Sequence, residues 1–421
     1  MTGMLIGPVV SALFLTVTRP SRFGLSLQGP GVRSLRSLLY FLIFAMTASL
    51  SIGCTSHSGN GETPIVSQSD LEQLIEEHPL FAGSAIVVQD GAITAIAHAG
   101  IADRDTGRMN SAKTMHSVAS VGKMFTAVAI IQLIESGKFE FDTPVTDVIP
   151  ELGDRLPSTV TVDHLLHHTS GIGSVTNVDD ATLDALRNNA DYFALILSSG
   201  VRSNGPADFS YRNENFQILG EIIQRTSDEP YEAYIRKNIA DPLGMSGPLF
   251  VRRDLDRSHI IASDYLPVDF QTWWNSDGSF EAGSASEFIH AAPPATPSAG
   301  GGSYVTATDL VRFATGFKSG KLITTENVKT MCSLVNTNIT ESRGYGRGCA
   351  ITKYEDETRV GHTGSAAGIQ ARFFMYLERG VDVIVLSNHD GQAAPLFDDI
   401  EGVVLDKPWS AFLTRRLNTT R

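Results

Sequence analysis

The sequence predicts an α+β fold: one antiparallel sheet built from N- and C-terminal strands, flanked by helices and interrupted by a mainly helical inserted subdomain. Three observations carry this. β-type runs stand at 84–89 and 92–98, across an Asp90-Gly91 dipeptide that reads as a hairpin turn. Matching runs return at 359–364, 370–377 and 381–386 near the other end. Helical spacing fills the stretch between them. No internal repeat is visible.

The 421 residues carry 33 Lys and Arg against 46 Asp and Glu, a net charge of −13. Hydrophobic residues make up 42%, enough for a sizeable core. The acidity and the lack of any basic run argue against a nucleic-acid partner, because phosphate binding needs a basic surface. Cys54, Cys332 and Cys349 are the three cysteines, and none forms a C-x-x-C pair. Cys332 and Cys349 are either two separate buried thiols or, in an exported protein, a disulfide.

Residues 1–54 read as an export segment. Arg33 and Arg36 precede an apolar run at 38–50, and Ser-Ile-Gly leads into Cys54. Ending on cysteine, this resembles a bacterial lipoprotein signal, which would lipidate Cys54 and attach the protein to a membrane. Ser51 departs from that pattern, and a plain signal peptide or an uncleaved anchor is the alternative. The run is shorter than the roughly 20 residues a transmembrane helix needs. Residues 1–31 fit poorly ahead of such a signal, so the true start is expected downstream. Residues 55–68, with Gly, Ser, Asn and Pro and no periodicity, read as a flexible linker. The folded domain is expected over 69–421.

Within it, Ser69, Asp70, Leu71 and Glu72 read as a capping box opening a helix to about Glu77. The central helix follows at 124–136, with Met124, Val128, Ile131 and Ile134 at helical spacing and Gly137 as its stop. At its mouth stand Ser120 and Lys123. Three residues apart on a helix, they share one face, which holds a hydroxyl beside an amine. That is a route to an activated nucleophile. Residues 161–171 read as a short helix with a threonine cap and a glycine stop. Helical patterns continue at about 181–198 and 214–226. A long irregular section runs from 252 to 298. Thr306 and Asp309 open another helix.

Ser-x-x-Lys alone is weak evidence. Its company is stronger: Tyr211-Arg212-Asn213 after a strand-like 208–210, and His362-Thr363-Gly364 on a β-type run. In this order they resemble the three motifs of the serine β-lactamase and penicillin-binding-protein superfamily. The likeness is closest to its class C β-lactamase, DD-peptidase and esterase branch. Stretches at 164–171, 241–245, 299–301, 345–348 and 387–388 fit the same branch, over roughly residues 80–405.

The resemblance implies a β-lactamase/transpeptidase-like fold and a metal-independent serine hydrolase that needs no cofactor. Its substrate would be a small molecule or peptide with an ester or amide carbonyl. Ser120 would form an acyl-enzyme. Lys123 or Tyr211 would be the base, and Tyr211 would also protonate the leaving group. Asn213 would orient Lys123 and the substrate. His362, where lysine is usual, would donate to a substrate carboxylate or to Tyr211. Gly364 would let the strand approach the substrate, and the backbone N–H groups of Ser120 and Ser365 would form an oxyanion hole.

Esterase or D-amino-acid peptidase activity is the expectation. A true β-lactamase, or a catalytically weak cell-wall peptide-binding relative, is the alternative. Arg212 and His362 are departures from the pattern. His164, His167 and His168 offer a rival metal reading, but the glutamate of a zincin pair is replaced by Leu165. No Gly-x-Ser-x-Gly elbow occurs, which excludes an α/β-hydrolase.

Overall fold

Asp90 and Gly91 both adopt left-handed backbone, with φ of 50° and 81°. A two-residue hairpin turn requires this, and it folds β1 (Gly83–Gln89) back onto β2 (Ala92–Ala99). The structure is a computed structural model. It describes residues 63–248, 250, 261–263, 265–267, 288–290, 296–340, 343–354 and 356–407. The export segment 1–54 with Cys54, most of the linker and much of 252–298 lie outside the described residues.

Six further strands complete the main sheet: β3 (Asn336–Thr340), β4 (Arg343–Tyr345), β5 (Ala350–Lys353), β6 (Thr358–Ala366), β7 (Ile369–Tyr376) and β8 (Val381–Ser387). The order is β2-β1-β8-β7-β6-β5-β4-β3, with every neighbouring pair antiparallel. The N-terminal hairpin therefore docks on the last strand, with Gly83 opposite Ser387 and Gln89 opposite Val381.

Strand alternation divides the core between the two faces of the sheet. Ile86, Ile384, Leu386 and Phe373 face the site-bearing helices, in one cluster with Phe125, Ile130 and Phe313. Ala85, Val87, Val383 and Phe374 face the other way. They pack on Leu71 and Leu74 of α1 (Gln68–Glu77) and on Leu396, Phe397 and Ile400 of α8 (Ala393–Val404). Each such Val, Leu, Ile or Phe side chain contributes about 1.5–3 kcal/mol by leaving water.

The expected α+β architecture holds, with helices between the first hairpin and the C-terminal strands. Several local expectations need correction. The cap of α1 is Ser67, whose side chain accepts from Asp70 N while the Asp70 carboxylate accepts from Ser67 N. The box thus starts two residues before Ser69. The 181–198 pattern is two helices, α4 (Asp180–Ala185) and α5 (Asn189–Ser199). Asn188 caps the second one afresh, accepting from Asp191 N at 3.1 Å. The helix α3 (Val162–Leu166) does carry the Thr161 cap but ends well before Gly171. Residues 208–210 form no strand. Strands β3 to β5 were not anticipated. Cys332 and Cys349 are free thiols, one half-buried and one buried, and the Cys349 thiol donates to Met331 O at 3.2 Å.

Helix α2 (Lys123–Glu135) is buried nearly all round rather than along one stripe. A helix apolar on every side belongs at the centre of a large domain. It packs on α6 (Asn213–Ser227) and meets α7 (Ala307–Lys318) where the Phe125 and Phe313 ring centroids lie 4.8 Å apart.

Candidate active site

Ser120 lies in a single 3-10 turn, Ala119–Gly122, which runs directly into α2. The residue before it, Ala119, has φ of 43°, a left-handed conformation in a non-glycine residue. That costs on the order of 1–3 kcal/mol and persists only where the surroundings dictate it. Two backbones do so. Val118 N donates to Ser303 O and Gly302 N to Ala119 O, both at 3.0 Å. On the other side, β6 presses Gly364 against the turn: a Cβ there would stand 2.1 Å from Val118 O. The close approach that Gly364 permits is thus to the chain's own Ser120 turn. Gly301 is equally tight, with its absent Cβ 2.4 Å from Ala119 O.

Lys123, the first residue of α2, is fully buried. Its Nζ donates to Gly300 O at 2.5 Å and to Asn213 Oδ1 at 2.7 Å, and lies 3.3 Å from Ser120 Oγ. This environment suits both protonation states. An ammonium has three donors for three acceptors. A neutral amine keeps two donors for the carbonyl and the amide and turns its lone pair toward the serine hydroxyl. Burial lowers its pKa from 10.5 to about 7, against the opposing pull of the Glu214 carboxylate.

The opposite wall is aromatic and neutral. Burial raises the Tyr211 phenol to about 12, against the opposing influence of the nearby Ser120 hydroxyl. Lys123 Nζ sits 4.8 Å from the Tyr211 ring centroid. His362 comes from β6, its ring centroid 6.2 Å from that of Tyr211. Its Nδ1 lies 2.5 Å from Thr363 O, a group that only accepts, so Nδ1 carries the proton. Nε2 is then an acceptor, and Tyr345 OH donates to it at 3.0 Å. Burial and the nearby Lys123 charge hold His362 down at about 3, so it is an uncharged imidazole.

Ser120, Lys123, Tyr211, Asn213 and His362 are therefore brought together. Ser365 lies at the exposed end of β6, opposite Gln370, one residue beyond the Gly364 contact. The Arg212 guanidinium turns back onto its own main chain, donating to Tyr211 O at 3.3 Å. The three histidines of 164–168 do separate work. His164 Nδ1 accepts from Thr161 N, His167 Nε2 lies 3.0 Å from Asp163 Oδ1, and His168 backs Tyr211. Among the described residues no three His, Cys, Asp or Glu side chains are grouped to hold a metal ion. The Gly300 carbonyl and the Tyr345 hydroxyl had no role in the sequence reading. Their stretches stood out only as family-like segments, since neither a carbonyl's aim nor a cross-sheet partner has a local signature.

An antiparallel sheet carrying a helix-start Ser-x-x-Lys, faced by a Tyr-x-Asn loop and a His-Thr-Gly strand, defines a serine hydrolase of the β-lactamase/transpeptidase-like class. The chain belongs to the Beta-lactamase family, which matches residues 68–405. Esterase EstB of Burkholderia gladioli is 26% identical over 356 residues, covering 77% of this chain and 91% of that protein. Penicillin-binding protein 4 of Amycolatopsis lactamdurans is 26% identical over 353 residues, covering 79% and 87%. Among solved structures, a penicillin binding protein from Bacillus halodurans superimposes with a TM-score of 0.67 at 24% identity, over 79% of this chain and 99% of that one. The D-amino acid amidase from Ochrobactrum anthropi SV3, complexed with L-phenylalanine amide, gives 0.63 at 20% identity, over 80% and 97%. Both show the shared fold.

Proposed function

We propose that this protein hydrolyses esters or amides through an acyl-Ser120 intermediate, with Lys123 as the base. The observation that carries this is the placement of the buried Lys123 amine, 3.3 Å from Ser120 Oγ and anchored by Gly300 O and Asn213 Oδ1. The Ser120 proton passes to Nζ as Oγ bonds to the substrate carbonyl carbon. The backbone N–H groups of Ser120 and Ser365 receive the resulting oxyanion, a contribution of about 2.7–4 kcal/mol per donor. The C–O or C–N bond then breaks, and the leaving group takes a proton from Tyr211, which recovers one from the Lys123 ammonium. Water releases the acyl group by the reverse sequence. Tyr211, held as a phenol, is the proton donor in this scheme rather than the base.

An uncharged His362 supplies no cation on β6 for a substrate carboxylate. This supports an ester or D-amino-acid amide donor over a β-lactam, in line with the esterase named among the relatives. Export and lipidation at Cys54 belong to the same proposal, and the mass of the mature N-terminus tests them. For the reaction, the test is intact-protein mass spectrometry during turnover of p-nitrophenyl esters, D-amino-acid amides, D-Ala-D-Ala peptides and nitrocefin. An adduct on Ser120, absent in a folded Ser120→Ala variant, is expected with the ester or amide. An adduct that survives Ser120→Ala removes the proposal.

A further inference from the structure

His168 belongs to no motif assigned a chemical role, yet it touches the Tyr211 loop in three ways. Its own carbonyl accepts from Ser210 N at 2.9 Å. Its Nδ1 accepts from Arg212 N at 3.2 Å. Its ring lies against the Tyr211 ring, centroids 4.3 Å apart and planes tilted by 36°. The residues on both sides of Tyr211 are thus tied to one histidine, whose imidazole forms the back of the phenol.

The imidazole is itself fixed. Asn215 Nδ2 donates to the same Nδ1 at 3.1 Å, and Ser170 Oγ donates to Asn215 Oδ1 at 2.6 Å. Phe216 and Tyr345 flank the ring, with centroids 5.1 and 4.9 Å away. With Nδ1 an acceptor, the proton of the neutral ring is on Nε2, a buried atom with no partner among the described residues. The backbone is committed as well: His168 has φ of 62°. A left-handed non-glycine residue held this firmly has a cost that the surroundings must offset.

We propose that His168 is a positioning residue for Tyr211, its carbonyl and Nδ1 holding the backbone on either side while its ring sets the phenol against Ser120. Because protonation would destroy the Nδ1 acceptor, the brace needs a permanently neutral ring. Burial above all, with the nearby Lys123 amine adding to it, holds its pKa down at about 2. The ring is therefore a neutral brace around neutral pH.

This rests on Tyr211 taking part in acyl transfer, and the test separates the two ideas. Acylation of the full chain is timed with an alkyl ester and with a D-amino-acid amide, whose leaving groups must take a proton, in His168→Ala, Tyr211→Phe and the double variant. Tyr211→Phe is expected to slow acylation by about 10²–10⁴-fold, the usual span for a lost proton-transfer group. His168→Ala is expected to slow it by roughly 10–100-fold, part of that span. In the Tyr211→Phe background it should add less than about twofold, because its effect passes through the phenol.

Losses that multiply, or no loss from His168→Ala, overturn the positioning role alone. An unaffected Tyr211→Phe overturns the role given to Tyr211 and the positioning role with it. Should His168→Ala fold poorly, His168→Asn serves in the same cycle. Asparagine tolerates the left-handed backbone and offers Oδ1 near the place of Nδ1. Its smaller loss must also vanish in the Tyr211→Phe background.

Discussion

On one side of Ser120 a lysine is buried among a carbonyl, an amide and a hydroxyl. On the other, two imidazoles and two phenols pack as rings. The two walls answer burial differently. Desolvation brings the Lys123 amine from 10.5 down to about 7, into the range where a proton can come and go. The same desolvation drives Tyr211 up to about 12 and His168 and His362 down to about 2 and about 3. One physical cause thus leaves a single switchable group and a wall with its charge state locked. A site built this way has one ordinary base and a set of neutral hydrogen-bonding surfaces to orient it.

The contrast breaks most severely at the switchable group. Lys123→Met should lower the acylation rate by about 10²–10⁴-fold. In the unaltered protein the rate should rise with pH through about 7, because below that value the amine is protonated and cannot accept the serine proton. Stopped-flow acylation from pH 5 to 9 checks both, and the limb near 7 should be gone in the variant.

The locked wall shows itself in stability instead. Folded His168 and His362 refuse protons that the unfolded chain accepts from about 6.5 downward. The unfolded state therefore binds more protons in acid, and the melting temperature should fall steadily as pH drops from about 6.5. A flat profile between pH 7 and 4.5 in calorimetry would contradict this.

A smaller effect is expected where the strand that carries His362 abuts the Ser120 turn. Gly364→Ala places a Cβ 2.1 Å from Val118 O, so the nucleophile turn or β6 must move. A loss of about 3 kcal/mol in urea unfolding is expected, with slower labelling of Ser120. The mildest change is Tyr345→Phe, which removes the donor to His362 Nε2. It should cost about 1 kcal/mol and leave the pH dependence of acylation in place.

Much of this was legible in the sequence because it is local. The Asp90-Gly91 turn, the Thr306 cap and the Ser120-x-x-Lys123 spacing all act within four residues. The gathering of Lys123 with Asn213, and of Tyr211 with His362, was anticipated only through a resemblance, since no spacing rule joins residues so far apart. The acceptor at Gly300, the brace at His168 and the donor at Tyr345 escaped for the same reason: each depends on which way a distant segment is aimed. The displaced cap of the first helix teaches something else. Ser67-x-x-Asp70 and Ser69-x-x-Glu72 both fit a capping box, and the helix begins at the first of them.

The order of strands also bears on how the molecule comes into being. β1 lies between its hairpin partner and the last strand of the sheet, and Ser387 Oγ donates to Ala82 O across 305 residues of chain. While the polypeptide is being synthesised, the first hairpin has only one of its two neighbours, and the face that will shelter Ser120 is missing β6. Non-local pairing of this kind is slow, because a long loop must close before any contact rewards it. The serine and the lysine are thus made early and armed last. The nascent chain carries Ser120 and Lys123 long before it has the walls that surround them.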